Sequence, residues 1–158
     1  MSKTIPPSSN APGTGDYDPL AHERPIPMLE TFGASVTGWS EGYARVEMPI
    51  SDRVINRQGI VHGGALMTLM DSAGGYAGCY LAIPCRVRKA MTLSMTTNFV
   101  SVARGKRLIA EGRMTRGGRS IFFADVTISD ETGELIATGT GTFRYRSASQ
   151  NPDGEPAD

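Results

Sequence analysis

Two hydrophobic periods divide the chain. From Gly63 to Ile83 small and apolar residues run almost without a break, and Pro84 closes the segment. It is too long for an ordinary strand and holds no proline, so it predicts a helix despite its glycines. Apolar positions go nearly all the way round, as in a helix buried on most sides. Tyr43–Pro49 alternates instead, with Ala44, Val46 and Met48 on one face and Tyr43, Arg45 and Glu47 on the other. That is the pattern of a strand with one buried side, ending at Pro49. After the helix the alternation returns, with Met91, Leu93 and Met95 set against Thr92, Ser94 and Thr96. Three more strands are predicted over 107–116, 121–128 and 134–146, with Gly117-Gly118 and the loop from Asp130 to Gly133 as turns. One helix between a first strand and four successive ones predicts an α+β fold, an antiparallel sheet wrapped around the helix. Ala73, Gly74 and Gly78 would let that helix lie close to a sheet or to a partner's backbone. Upstream, Met28–Phe32 predicts a short helix ended by Gly33.

Composition narrows the setting. The 158 residues fit one domain with a proper core. Sixteen basic and sixteen acidic residues cancel, and without a basic arm nucleic acid is not an expected partner. Residues 1–24 are rich in Pro, Ser and Gly and are expected to form a disordered tail. Residues 147–158 read the same way, which leaves 25–146 as the single domain, with no internal repeat. The N-terminus lacks a signal-like apolar core, and the one long apolar segment carries a carboxylate and several glycines. Neither a membrane span nor secretion is therefore expected, and a cytoplasmic location is. Cys79 and Cys85 form no metal or redox motif, and with only His22 and His62 beside them no protein-held metal is expected.

The chemistry centres on one residue. Between His62 and Arg86 the only formally charged side chain is Asp71. A carboxylate in an apolar helix is costly unless it is paired, hydrogen-bonded or reached by water. It is either a structural acid or a functional one. The functional reading draws on the start of the same helix. Gly63 and Gly64 allow close approach to the backbone, and the first amides of a helix lack intrahelical partners. At the positive end of the helix dipole they can polarise a carbonyl and hold an oxyanion. Gly63 and Asp71 stand eight residues apart, about 12 Å along one helix. One carbonyl cannot be gripped by both, so the spacing predicts a dimer whose antiparallel helices share their sites.

The series Asn56-x-x-Gly59-x-x-His62-Gly63-Gly64, with Asp71 seven residues on, closely resembles the hotdog-fold acyl-CoA thioesterases. The branch is that of the phenylacetate-pathway and human thioesterase-superfamily enzymes, and the resemblance spans roughly Gly33 to Arg146. It implies the hotdog fold and hydrolysis of an acyl-CoA, aryl or medium-chain, to free acid and coenzyme A. Asp71 matches the catalytic carboxylate, as general base on water or as direct nucleophile. Gly63 matches the residue whose N–H faces the thioester oxygen, with Gly64 beside it. Asn56 would lie near the sulfur or the attacking water; a loop-stabilising Asx-turn is its structural alternative. His62 would shape the loop or touch the thioester region, more as support than as base. Thr92 matches a strand hydroxyl that orients the nucleophile, or is an ordinary β-favouring threonine.

Around the Gly117-Gly118 turn, Arg116, Arg119 and Ser120 are candidates for the coenzyme's phosphates, unless the turn is merely solvated. Arg86, Arg88 and Lys89 form a second basic patch, expected to be solvated. Met67, Met70, Tyr76 and the segment 28–32 are candidates for the acyl pocket, where methionine would suit varied ligands. Coenzyme A is part of the substrate, so no separate cofactor is implied. The resemblance also implies a homodimer at minimum, assembled into a tetramer. Two other readings compete. A hotdog hydratase or dehydratase usually carries an Asp five residues before a His, which neither histidine here has. A non-catalytic acyl-CoA-binding protein is opposed by the retention of Asp71 with Gly63.

Overall fold

The computed structural model describes residues 17–157. A 3₁₀ turn, Pro19–His22, leads into helix α1 (Pro27–Phe32), which Gly33 ends in the left-handed conformation. Strands β1 (Ser35–Ser40) and β2 (Tyr43–Pro49) precede the long helix α2 (Gly63–Cys79). A short strand β3 (Arg86–Val87) is followed by β4 (Ala90–Phe99), β5 (Arg107–Gly117), β6 (Ile121–Asp130) and β7 (Leu135–Tyr145). A second 3₁₀ turn, Ala148–Gln150, and strand β8 (Glu155–Pro156) complete the described chain.

Six strands make one sheet in the order β1-β2-β5-β6-β7-β4, antiparallel throughout, and it curls around α2. On β2, β5 and β6 the predicted faces alternate in burial, whereas on β4 the apolar Met91 and Leu93 are exposed, as are Thr92 and Ser94. Ala44, Val46 and Met48 are buried, as are Leu108 and Ala110 on β5 and Phe122, Ala124, Val126 and Ile128 on β6. Most of them pack against Leu66, Leu69, Met70 and Ala73 of α2, while Phe122 and Ala124 cluster with Cys79 and Ala44 with Tyr76 and Ala77. Contact there is close enough to require glycine. A Cβ on Gly78 would stand 2.2 Å from the Phe122 ring, and one on Gly112 of β5 would stand 2.2 Å from the Ala73 carbonyl oxygen. The small residues are the means by which a helix beds into a concave sheet.

Three expectations are revised. α2 ends at Cys79, so Tyr80–Ile83 belong to the exit loop; apolar composition without a stop signal overstated the helix. β1 precedes the strand taken as first. Its residues SVTGWS carry no clean alternation, and its pairing with β2 slips between Val36 and Gly38. The segment 147–157 is no tail: Ser149 is fully buried, and β8 pairs with β3. The expected N-terminal tail lies largely outside the described residues, but Tyr17–Arg24 follow the domain surface through the 3₁₀ turn. No helix among the described residues is long and apolar enough to cross a membrane.

Candidate active site

Asp71 lies midway along α2, on the side turned away from the sheet's core. It is exposed in the single chain, not enclosed as its apolar neighbours suggested. Its carboxylate oxygen Oδ1 accepts a short hydrogen bond from the Thr92 hydroxyl of β4. The register explains the meeting. β4 slips against β7 between Thr92 and Ser94, a bulge at Leu93 where the strand re-aims its side chains. Thr92 stands opposite the buried Phe143 of β7, which fixes the face it presents.

Asp71 and Thr92 border a cavity of about 590 Å³ that follows α2 from Thr68 to Cys79. That volume is in the ordinary range for a small-molecule site. Its walls are partly aromatic: Trp39 from β1, Tyr76 from α2 and Phe143 from β7. Trp39 and Tyr76 meet edge to face at 5.1 Å, and the indole N–H of Trp39 donates to the Tyr76 carbonyl at 2.8 Å. The Tyr76 hydroxyl donates to Glu23 Oε1 at 2.8 Å. Burial, then the neighbouring Glu23 carboxylate, holds the Tyr76 phenol well above its usual range, so it stays a donor. Burial likewise pushes the Cys79 thiol up to about 12, which leaves it protonated. Met28 and Tyr76 border the cavity, as the sequence suggested for the acyl pocket. Met70 is fully buried in the core, and Met67 is exposed outside the cavity.

The motif residues gather at the N-terminus of α2, at the other end of the Asp71 stretch. Asn56 Oδ1 accepts from the Gln58 amide at 2.8 Å and the Ile60 amide at 3.4 Å, an Asx-turn that builds the loop. His62 is the N-cap of α2, and its Nδ1 accepts from the Gly64 amide at 2.8 Å. Ala65 and Leu66 donate to the His62 carbonyl. The Gly63 N–H is thus the first of the helix, and it has no partner among the described residues. The ring of Phe99 lies beside Gly63, 3.3 Å from where its Cβ would stand. A neutral donor at a helix N-terminus beside an aromatic ring can hold a developing oxyanion.

Arg116, Arg119 and Ser120 stand at the β5–β6 turn, outside the Asp71 cavity. Arg119 borders a second, open cavity with Gly118 and Arg88. Arg88, expected to be a solvated side chain, also lines the Asp71 cavity, with its guanidinium 3.8 Å from the centre of the Tyr145 ring. The sequence did not single out Trp39, Glu23 or Ala157, which line the cavity as well. The chain's one tryptophan was the available signal for the first. The other two lie in segments whose composition resembles a tail. Among the described residues no three His, Cys, Asp or Glu side chains cluster as a metal site would require.

Residues 58–137 match the Thioesterase superfamily. A Halobacterium salinarum protein that bears an esterase name is 32% identical over 127 residues, 74% of this chain and 83% of its own. Acyl-coenzyme A thioesterase 13 of Mus musculus is 30% identical over 100 residues, 61% of this chain and 68% of its own. The solved structure of a Thioesterase family protein from Silicibacter pomeroyi superposes with a TM-score of 0.67 at 26% identity, covering 80% of this chain and 92% of that one. With six antiparallel strands curled around one long helix and matches that span most of that sheet and helix, the chain belongs to the Thioesterase superfamily, as a thioester hydrolase of hotdog fold.

Proposed function

We propose that the protein hydrolyses acyl-CoA thioesters at sites shared between two copies of the chain, and that Asp71 is the catalytic carboxylate. The observation that carries this reading is the placement of the carboxylate. Asp71 is the one acid on an otherwise apolar helix, held by Thr92 at the mouth of a partly aromatic cavity, about 12 Å along that helix from the unpartnered Gly63 amide. The exposed surface around it supports the second copy. Among the described residues β4 is an open sheet edge, ten residues long, and Met91 (52% exposed), Leu93 (51%) and Phe99 (56%) leave apolar surface along it. An edge of that length and character is covered in a stable protein. A second copy added across β4 would set the two α2 helices antiparallel, with each Asp71 toward the other Gly63.

In this arrangement the thioester carbonyl oxygen lies against the Gly63 N–H of one subunit. Asp71 of the other takes a proton from water as the water oxygen bonds to the carbonyl carbon, and Thr92 aims the carboxylate. The oxyanion accepts from Gly63 until the C–S bond breaks, and the leaving thiolate recovers the proton as coenzyme A thiol. Direct attack by the carboxylate would instead give a mixed anhydride, which water then opens to the same products. Asn56 and His62 build and cap the loop that positions the Gly63 and Gly64 amides. Arg116, Arg119 and Ser120 are assigned to the nucleotide end of coenzyme A, with Met67 beside the approach to the site. The coenzyme is substrate, and the reaction is assigned no further cofactor. Trp39, Tyr76 and Phe143 give the cavity an aromatic lining that suits aryl and medium-chain acyl groups.

Release of free thiol from a graded panel of acyl-CoAs tests the assignment. Turnover of aryl and medium-chain substrates by the wild type is expected. Release no faster than from buffer alone, across the whole panel, would overturn it.

A further inference from the structure

We infer that the C-terminal arm, residues 147–157, is the acyl-end stop of the Asp71 cavity and sets the largest acyl group the enzyme accepts. This rests on the reading of that cavity as the acyl pocket. The matched family region ends at Ala137, so the arm lies outside it. The arm is nevertheless tied down along its length, mainly to the segment 85–89. The buried Ser149 hydroxyl accepts from the Lys89 amide at 2.8 Å and donates to Glu155 Oε2 at 2.9 Å. Glu155 Oε1 pairs with Lys89 Nζ at 3.1 Å. The Arg86 guanidinium donates to the Gly154 carbonyl at 2.6 Å and to that of Asp153. β3 and β8 pair through Arg86 with Pro156 and Val87 with Glu155, and the Ala157 amide donates to the Cys85 carbonyl at 2.9 Å. Gly154 sits at φ +69, where a Cβ would come within 2.4 Å of the Val87 carbonyl oxygen.

These tethers have a spatial consequence. Val87, Arg88, Lys89 and Ala90 line the cavity, and from the arm so does Ala157, whereas Ser147, Ala148, Gln150, Asn151 and Pro152 border the second cavity. Along α2 the cavity runs from Thr68 to Cys79, with Asp71 about 12 Å from Cys79, and residues 85–89 join the exit of that helix to β4. The reacting carbon sits at the Asp71–Thr92 end. In the proposed pocket an acyl chain that extends toward Cys79 and Val87 meets Ala157 of the arm. A sequence that holds this segment with two strand-paired residues, an ion pair and a buried hydroxyl is fixing a boundary, and here the boundary is that of the cavity.

The test measures kcat/KM over straight-chain acyl-CoAs of increasing length with the full-length protein and two variants. Ala157→Trp adds bulk at the wall and is expected to lower the ratio of long-chain to short-chain kcat/KM at least tenfold. The double variant Ser149→Ala with Arg86→Ala releases the arm without touching Asp71 or Thr92. Its optimum is expected to move to longer chains, with thermal melts confirming a folded protein. An unchanged length profile in both variants overturns the inference, as does an equal loss at every length. A wild type inert toward every acyl-CoA removes the proposed reaction, and the inference falls with it. An active wild type with an insensitive profile removes the inference alone.

Discussion

At the residue scale the account turns on which groups act and which hold others in place. Asp71→Asn keeps the size and the Thr92 hydrogen bond but loses the proton acceptor. Turnover is expected to fall about 10²- to 10⁴-fold with KM changed little, as for removal of a general base. Because Asp71 is exposed in the single chain, the substitution is expected to leave the melting temperature nearly where it was. Near-wild-type turnover in a folded Asp71→Asn protein would remove Asp71 from the mechanism. His62 differs in kind: its Nδ1 accepts from the Gly64 amide and caps α2, a supporting part in the proposed site. His62→Ala is expected to cost roughly 1 kcal/mol of stability, the usual worth of an N-cap. Its activity should fall far less than that of Asp71→Asn; calorimetry and initial rates on one preparation decide the point.

At the scale of elements, most strands were legible because their buried and exposed faces alternate, as β2, β5 and β6 do. The short helix was legible from Gly33. β1 was hidden because its partly buried residues have no period, and with it went Trp39, the aromatic wall it carries. The arm was hidden for a different reason: its order comes from hydrogen bonds to Arg86, Lys89 and Cys85, which composition does not record. The motif placed Asp71 and Gly63 at once, yet the contact with Thr92 depended on the bulge at Leu93, a matter of pairing register. Polar turns make a further prediction. The Thr132 hydroxyl, then backbone amides at Arg104, Gly105 and Thr132, hold Asp130 well below the usual carboxylate range. Amides at Lys106 and Arg107 lower Glu131, and Lys89 with Ser149 lowers Glu155. Carboxyls with depressed folded values stabilise fully above their ordinary range, about 4, and lose that contribution as pH falls from there through the lower folded values. The melting temperature is therefore expected to hold from pH 7 to about 5 and to drop below about 4; a rise on acidification would contradict it. The cysteines divide as sharply: Cys79 is buried with a raised thiol, whereas Cys85 is exposed. Alkylation of the native protein is expected to modify Cys85 alone, and denaturation to add Cys79, as mass spectrometry would read.

At the scale of the whole molecule, the single chain is a completed sheet around a helix with one face left open. That face carries the edge of β4, the apolar side chains along it and Asp71, while the amide suited to the oxyanion lies two turns away at the start of α2. The proposed second copy would cover this face and complete the site. Complementation between two disabled subunits tests this most directly. Asp71→Asn removes the carboxylate. Gly63→Pro removes one N–H at the first helical position, where proline's fixed φ fits, and His62 already has the extended backbone that proline favours before it. Each variant alone is expected to be nearly inactive. Co-expressed in equal amounts, they should form mixed dimers in which one of the two shared sites is intact. Recovery of about a quarter of wild-type activity then follows from random pairing. A mixture no more active than its parents, with mixed dimers shown to be present, would contradict a site shared between subunits.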